Sequence, residues 1–535
     1  MTRVITTSAW SNTRIKTGNN PGSFTPMFFI PMFFVTGAER LLCLLLAFVV
    51  SLVLLGCAPK PDEVLRIGLA SAPVTLDPRF ATDATSSRIN RLLYTRLVEF
   101  NDQQLPIPGL ATWELISPTH YRFRLKPDAE SRTFPDGSRL TANDIQATYL
   151  SVLEKETGSP HRATLAMIEA IDVLDDDTLD FHLSRADRLF PAYLSIGILP
   201  AAKIKSRHPF NHQPFGSGPF VFTGWPEEGR LLLQRRRDGQ RVGFVYVADA
   251  TVRVLKLLRG EIDMLQNDLP PELITFLQQR DDVQVSKVRG SNFTYLGFNL
   301  MDPIVGDVRV RRAIAHAIDR EAIIRYVMGG AARPASALLP PEHWAGNPQL
   351  NVLDYDPRMS RKILASLGYD HHIPLRLTYK TSTNAFRVRL ATVLQSQLKA
   401  VGIDIDLRSY DWGTFYGDIK AGNFQMFSLS WVGVKSPDIF RYVFHSQSVP
   451  PNGANRGRFD NPAVDRLIEV ADSAYTQDQQ AQTYQQLQVL LLNELPYVPL
   501  WYEDHVFVAK KTITGYRLGL DGNYDGLIAV HRDAF

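Results

Sequence analysis

The chain has 535 residues, of which 45% are hydrophobic and 21% are charged, a composition that fits a folded globular protein and excludes a disordered one. It contains 58 Lys and Arg residues and 55 Asp and Glu residues. Residues 1–56 include four of the basic residues and one of the acidic residues, so the chain from residue 57 onward has no net charge. A neutral surface gives no electrostatic basis for binding nucleic acid. The roughly 480 residues that remain are too many for one hydrophobic core, so two or three domains are expected.

An apolar run near the beginning of the chain predicts export. Leu41–Leu55 follows Arg40 and is shorter than the roughly 20 residues of a membrane-spanning helix, which is typical of a secretory signal. The run ends in Leu54-Leu55-Gly56-Cys57, which resembles a bacterial lipobox, whose cysteine is acylated and becomes the first mature residue. We therefore predict a signal peptide over 1–56 and lipidation of Cys57. The protein is then anchored by lipid in the cell envelope, on the periplasmic or extracellular side; an uncleaved membrane anchor is the alternative.

The cysteine content restricts the chemistry of the mature chain. The sequence has two cysteines, Cys43 and Cys57, and Cys43 leaves with the signal peptide. No disulfide within one mature chain, no Cys-based metal site and no thiol nucleophile is expected, so the body depends on burial of apolar side chains for stability.

After a polar linker at 58–63, alternation and capping patterns predict the first elements of the body. Tyr121–Lys126 alternates with period two, as a half-buried strand does. Thr141-Ala-Asn-Asp144 is a capping-box variant that opens a helix to about Leu153. The other predicted elements are a strand at Val64–Leu69, a turn at Thr75–Pro78, a helix with Ile89, Leu92, Leu93 and Leu97 on its apolar side, and a hairpin of residues 170–173 and 178–181. The tip of this hairpin, Asp175–Asp177, is predicted to be solvated, and the alternative is that its carboxylates bind calcium.

The clearest helical pattern begins at Asp307. Apolar residues recur from Val310 to Ile318 at the spacing of one helix face, Asp319 can cap a second helix, and Gly329-Gly330 ends that helix.

Residues 355–431 predict a compact α/β unit with a parallel or mixed sheet, because strands alternate with helices at short spacing. The predicted elements are a helix from Asp356-Pro357 to Gly368, a strand at Leu375–Tyr379, a helix at Phe386–Ala400, a strand at Ile403–Leu407, a helix at Trp412–Ala421 and a strand at Met426–Trp431.

The usual signatures of enzymes are missing from the sequence. It has no G-x-S-x-G elbow, no P-loop, no H-E-x-x-H and no dinucleotide-binding glycine pattern. His371 and His372 are adjacent, so on a strand they point to opposite faces and do not share a metal. We predict a protein that is not an enzyme and has no cofactor or metal.

Ten segments in fixed order make the chain resemble the family 5 extracellular solute-binding proteins, the oligopeptide- and dipeptide-binding components of ABC importers. The resemblance runs from about Leu65 to the end, and its strongest segment is Asp307–Arg320. The others are Thr75–Pro78, Leu93–Glu99, Pro108–Trp113, Tyr121–Lys126, Phe134–Gly137, Leu140–Asp144, Gly216–Pro219, Gly260–Asp263 and Leu296–Asn299.

This resemblance implies an α/β fold with the two lobes of a periplasmic-binding protein of the class II type. It places lobe I at 58–104, 215–299 and 504–535, an additional domain inserted in lobe I at 105–214, and lobe II at 300–503. It also implies a monomer that traps a peptide or small-molecule ligand between lobes and passes it to an ABC transporter permease without a chemical step.

The resemblance also indicates the ligand-binding residues. Trp431 and Trp412 match family positions that line the cleft, and Thr85, placed on the loop after the first strand, can offer backbone contacts. Lys435 suits an anionic group, with a solvated loop lysine as the alternative, and Arg441 can meet a ligand carboxylate or form an ion pair within the protein.

One position departs from the family. Peptide-binding members carry an aspartate three residues after this tryptophan, and that carboxylate pairs with the amino terminus of the ligand; here the position is Val434. Because a buried ammonium without a counter-charge costs several kcal/mol, a non-peptide ligand such as a metal chelate, a sugar or a cell-wall fragment is an alternative to a peptide. A cell-envelope hydrolase is the alternative from another functional class.

Overall fold

The computed structural model describes residues 64–101, 103–127, 132–474 and 476–533. The predicted signal peptide, the lipidation site at Cys57 and the linker at 58–63 lie outside these residues. Within the described ranges, none of the helices combines the length and the apolar character that crossing a membrane requires.

A large mixed sheet organises the described body. The strands of the described residues are β1 (Val64–Leu69), β2 (Val98–Phe100), β3 (Pro106–Pro108), β4 (Ala111–Ser117), β5 (His120–Leu125), β6 (Ile168–Asp175), β7 (Thr178–Leu183), β8 (Phe220–Glu227), β9 (Arg230–Arg235), β10 (Arg241–Tyr246), β11 (Met264–Gln266), β12 (Val283–Phe298), β13 (Ala332–Pro334), β14 (Leu375–Ser382), β15 (Ile403–Tyr410), β16 (Met426–Trp431), β17 (Tyr497–Lys510), β18 (Ile513–Thr514) and β19 (His531–Arg532). The order of strands in the large sheet is β15-β14-β16-β12-β17-β11-β1-β10-β9-β8, with β13 also paired to β17. Strands β4-β5-β7-β6 form a separate antiparallel sheet, and β2-β3 and β18-β19 form two small ones.

Helices cover the sheets and connect their strands. The α-helices are α1 (Ala84–Leu93), α2 (Ala142–Leu153), α3 (Arg162–Leu165), α4 (Phe190–Tyr193), α5 (Ala201–Lys205), α6 (Ala250–Arg259), α7 (Pro271–Gln278), α8 (Val308–Ala317), α9 (Arg320–Ala322), α10 (Pro357–Ser366), α11 (Ala385–Lys399), α12 (Trp412–Ala421), α13 (Ile439–Phe444), α14 (Pro462–Asp472) and α15 (Gln477–Glu494), and short turns of other helix types lie at Lys155–Thr157, Ile323–Val327, Ser446–Ser448 and Asp525–Ile528.

The predicted α/β unit at 355–431 is confirmed. Strand β14 pairs in parallel with β15 and β16, and helices α11 and α12 form the crossovers. Side chains fix where these helices begin: Asn384 accepts the amide protons of the first turn of α11, and Asp411 does so for α12. Gly422 then ends α12 in the left-handed conformation that glycine adopts without strain.

Helix α1 is shorter than the sequence predicted. It ends at Leu93, so Leu97 lies beyond it. The chain leaves the helix at Tyr94, whose backbone is extended, and the Tyr94 hydroxyl donates to the Leu76 carbonyl at 2.9 Å. Gly218 packs directly on this turn, and a Cβ at Gly218 would lie 2.4 Å from the Leu93 carbonyl carbon. The Gly216–Pro219 segment is therefore a packing site for the end of α1.

Strands β12 and β17 are long and antiparallel, and they hold the two halves of the large sheet together. Their pairing shifts register between Val288 and Asn292, opposite Glu503 and His505. Gly290 lies inside this shift, where a Cβ would come 2.1 Å from the Glu503 carbonyl oxygen. The two strands therefore change direction at a point where only glycine allows the backbones to approach so closely.

Buried apolar side chains form several clusters, and the largest joins distant parts of the sequence. It combines residues of 97–198, including Phe123 and Tyr149, with residues of 293–502, including Phe440 and Tyr484. The described residues all belong to one compact unit by backbone contacts, so the predicted lobe and domain boundaries stay predictions.

Candidate functional site

Trp412 begins helix α12 and projects from it. The side chain is 56% exposed, which is unusual for the largest apolar side chain. Its ring stacks on Tyr416, one helical turn later, with centroids 5.4 Å apart and planes 7° apart. Trp412 and Tyr416 therefore present a continuous aromatic surface.

Trp431 ends strand β16, where it pairs with Phe293 of β12. The side chain is half-buried and packs on the large apolar cluster. The guanidinium carbon of Arg456 lies 4.9 Å from its ring centroid, the geometry of a cation–π contact. One face of Trp431 is thus covered by a positive charge.

Arg456 connects the two predicted tryptophans. Its Nη1 donates to the Tyr295 hydroxyl at 3.3 Å and its Nη2 donates to the Tyr416 hydroxyl at 3.0 Å. We call Arg456, Tyr295, Tyr416 and Trp431 the Arg456 cluster. Because Trp412 stacks on Tyr416, the structure brings Trp412 and Trp431 to one site through an arginine that the sequence analysis did not single out.

The charge of the Arg456 cluster is not balanced from within. Arginine stays protonated at all physiological pH values, and burial raises the pKa of Tyr295, so its hydroxyl is neutral. Only 7% of Arg456 is exposed. Among the described residues, no carboxylate forms an ion pair with Arg456. The cluster is therefore a buried cation held by neutral aromatic groups.

Lys435 is engaged by another part of the chain. Its Nζ lies 2.5 Å from Asp521 Oδ2 and 5.3 Å from the centroid of the Phe100 ring. Burial pushes the pKa of Asp521 upward, but Lys435 more than offsets this effect and the pKa is lowered. Lys435 is neither solvated nor unpaired, and its predicted contact with an anionic ligand stays a prediction.

Val434 lies next to this pair and packs, partly buried, against the large apolar cluster. The nearest carboxylate along the chain beyond it is Asp438, at the beginning of α13. Burial raises the pKa of Asp438 to about 7, so this group is a poor substitute for an ionised aspartate at position 434.

The structure corrects the placement of Thr85. Asp83 caps helix α1 by accepting the amide proton of Ser86 at 2.9 Å, so Thr85 lies in the first helical turn and not on the loop. Its buried hydroxyl is bonded to Ser71 at 2.9 Å. Thr85 therefore fixes the loop after β1, and its contact with a ligand stays a prediction.

Arg441 forms an ion pair within the protein. Its Nε donates to Asp472 Oδ2 at 2.7 Å, and Asp472 also contacts Arg185 at 3.2 Å. This is the second of the two roles that the sequence left open for Arg441. Its predicted contact with a ligand carboxylate stays a prediction.

One group of histidine and carboxylate side chains within the described ranges is close enough to share a metal: His120, Asp180 and His182, on strands β5 and β7. Arg122 donates to both oxygens of Asp180, at 2.8 Å each, and lowers the pKa of that carboxyl. The guanidinium already neutralises the carboxylate, so the arrangement is that of an ion-pair network on a sheet surface.

Comparison with known proteins gives consistent similarities along the chain. The family model described as bacterial extracellular solute-binding proteins, family 5 Middle, matches residues 106–450. Heme-binding protein A of Haemophilus influenzae is 26% identical over 504 residues, covering 87% of this chain and 91% of that protein. Dipeptide-binding protein of Escherichia coli is 25% identical over 484 residues, covering 83% of this chain and 90% of that protein. The structure of oligopeptide-binding protein AppA of Bacillus subtilis with a nonapeptide gives a TM-score of 0.78 at 23% identity, covering 89% of this chain and 100% of that one.

Proposed function

This chain belongs to the bacterial extracellular solute-binding proteins of family 5, and from that premise we propose that it captures a peptide or peptide-like solute between two lobes and delivers it to the permease of an ABC importer. The predicted α/β fold of the class II periplasmic-binding type is confirmed by the solved structures that it resembles. The observation that carries the proposal is the aromatic surface of Trp412, Tyr416 and Trp431 around Arg456. We infer that binding and release proceed without a chemical step.

We also propose where the lobes meet. The register shift of β12 and β17 around Gly290 and Glu503 is a suitable crossing between lobes, close to the crossings that the sequence placed near 300 and 503. Under the predicted boundaries, Lys435 belongs to lobe II and Asp521 to lobe I, so their ion pair bridges the lobes. The predicted additional domain at 105–214 would then pack on lobe II through the large apolar cluster.

A second candidate is the same fold with a non-peptide ligand. Val434 supports it, because this position offers no carboxylate to the ammonium group of a free peptide. A relative named for heme and one named for dipeptides also support a scaffold that encloses solutes of different chemistry.

Thermal-shift screening followed by calorimetry tests both candidates. The panel contains free-amino peptides of two to nine residues, the same peptides with acetylated amino termini, heme, and acidic amino-acid derivatives. We expect saturable binding of at least one peptide class. Saturable binding confined to non-peptide compounds supports the second candidate, and a flat response across the whole panel contradicts the proposed function.

A further inference from the structure

The Arg456 cluster contains a charge that the protein itself does not balance. A buried cation without a counter-ion is costly, and the cation–π contacts with Trp431 and Tyr416, at 4.9 and 5.2 Å, recover only part of that cost. A site of this kind is completed by an anion.

We propose that Arg456 receives an anionic group of the ligand, a carboxylate or a comparable oxyanion, and so selects acidic solutes. This inference rests on the proposed function and names the chemistry of the solute. It moves the cationic contact, which the sequence assigned to Lys435, to a residue 21 positions later in the chain.

The hydrogen bonds of Arg456 leave room for such a partner. A guanidinium has five N–H donors in a planar fork that matches a carboxylate. The side chain makes two hydrogen bonds within the described part of the chain, to Tyr295 and to Tyr416. Three donors therefore stay available. The two phenol groups also fix the plane of the guanidinium, so little rotamer freedom is lost when an anion binds.

Two other buried arginines, Arg235 and Arg311, are satisfied by the protein. Arg235 forms a bidentate contact with Asp238 at 2.9 and 2.7 Å. Arg311 donates to four backbone carbonyl groups at 2.7–2.8 Å. Arg456 has neither a carboxylate nor a set of carbonyl groups, and it alone of these three lies beside the two predicted ligand-binding tryptophans.

Val434 and Arg456 together predict an unusual preference. The site lacks the carboxylate that would hold an ammonium group but contains a cation for an acid. The preferred solute therefore carries a free acid and does not need a free amine. An N-acetylated peptide acid or another carboxylic acid with an apolar or aromatic body meets both conditions, since the walls of the site are aromatic.

The test compares three forms of one dipeptide, Ala-Phe, N-acetyl-Ala-Phe and N-acetyl-Ala-Phe-amide, and adds benzoate as a minimal aromatic acid. Affinity is measured by calorimetry and by intrinsic tryptophan fluorescence. We expect N-acetyl-Ala-Phe to bind at least tenfold more tightly than its amide, and Arg456→Met to remove this difference. Arg456→Lys keeps the charge without the planar fork and should recover only part of it.

Arg88→Met is the matched control. Arg88 is also 7% exposed and also lies over an aromatic ring, that of Tyr524 at 5.7 Å, but it belongs to helix α1. Thermal unfolding is recorded for each variant. Because an unpaired buried cation is removed, we expect Arg456→Met to unfold at the wild-type temperature or above it, which separates a binding defect from a folding defect.

The outcomes separate this inference from the proposed function. Equal binding of acid and amide, a preference for the acid that survives in Arg456→Met, or a preference that Arg88→Met removes as completely as Arg456→Met does, overturns the inference and leaves the binding function intact. Binding of benzoate through Arg456 without binding of any peptide form supports the inference and contradicts a peptide ligand. Binding of none of these probes overturns the inference as well.

Discussion

We expect Val434 to decide which end group of a solute the site can hold. Its side chain is apolar and packs on the core, at the position where the family resemblance places the aspartate that pairs with a peptide amino terminus. We predict that Val434→Asp gains at least tenfold affinity for the free-amino dipeptide Ala-Phe, measured by calorimetry, because the new carboxylate supplies the counter-charge.

The partly buried carboxylate of this variant should also cost about 1–3 kcal/mol of stability. Val434→Asn is the control, since it introduces a polar group of the same size without charge and should not gain affinity. If Val434→Asp binds Ala-Phe no better than the wild type, position 434 does not correspond to the family aspartate.

Trp412 is predicted to contribute to binding through an exposed face, so its removal should affect affinity far more than stability. We predict that Trp412→Ala weakens binding of the solute found in the panel by about tenfold and changes the free energy of unfolding by less than about 1 kcal/mol. Trp225→Ala is the control, because Trp225 is 40% exposed but lies on strand β8. Equal effects of the two substitutions would place the ligand elsewhere.

Local signals predicted the elements that build the site but not the contacts between them. Helix α12 was predicted at Trp412–Ala421 and has these bounds in the structure, where Asp411 caps its start and Gly422 its end. Arg456, in contrast, is bonded to Tyr416 and Tyr295, 40 and 161 residues away. Its only sequence signal is a basic residue directly after Asn455, and nothing local shows that it is buried.

The same limit explains the other differences. The pairing of Lys435 with Asp521 joins segments that are 86 residues apart, so the loop sequence around Lys435 contains no sign of it. The position of Thr85 is different in kind, because Asp83 is a local capping residue, and such a residue in the sequence indicates where the helix starts.

The crossing of β12 and β17 depends on the absence of a side chain at position 290. We predict that Gly290→Ala lowers the free energy of unfolding by about 2–4 kcal/mol, because a Cβ would lie 2.1 Å from the Glu503 carbonyl oxygen and one backbone must move. Chemical denaturation measures this change.

A second glycine gives the control for this element. A Cβ at Gly417, within helix α12, would meet no atom within 4 Å, so Gly417→Ala should stabilise the protein by up to about 1 kcal/mol through helix propensity. If Gly290→Ala is as stable as the wild type, the close approach of the two strands is not a constraint on the fold.

For the whole molecule, the sequence predicts tethering by a lipid on Cys57, which lies outside the described residues. Cys57→Ala should move the protein from the membrane fraction to the soluble fraction of a bacterial host and abolish incorporation of a labelled fatty acid. Cys43→Ala is the matched control, because that cysteine lies within the predicted signal peptide and outside the predicted lipobox. Retention of Cys57→Ala in the membrane fraction would favour the uncleaved anchor.

Two buried carboxyl groups link the segment after strand β7 to helix α14. Asp187 and Asp472 are 1% and 2% exposed, and both contact Arg185, at 3.8 and 3.2 Å. The Tyr193 hydroxyl donates to Asp187 at 3.1 Å. Burial, together with the neighbouring charge of Asp472, raises the pKa of Asp187 to about 8.

We predict that the buried Asp187 makes the stability of the whole molecule depend on pH. Between about pH 4 and pH 8 the folded protein keeps a proton on Asp187 that the unfolded chain has released. The free energy of unfolding should therefore fall as pH rises through this window, by an amount on the order of a few kcal/mol, and should level off above it. Asp187→Asn has no proton to release, so its melting temperature should vary less with pH over this window, whereas the exposed-surface control Asp281→Asn should follow the wild type. A wild-type profile that rises from pH 5 to pH 8, with Asp187→Asn parallel to it, would show that Asp187 is ionised in the folded protein and that Arg185 offsets its burial.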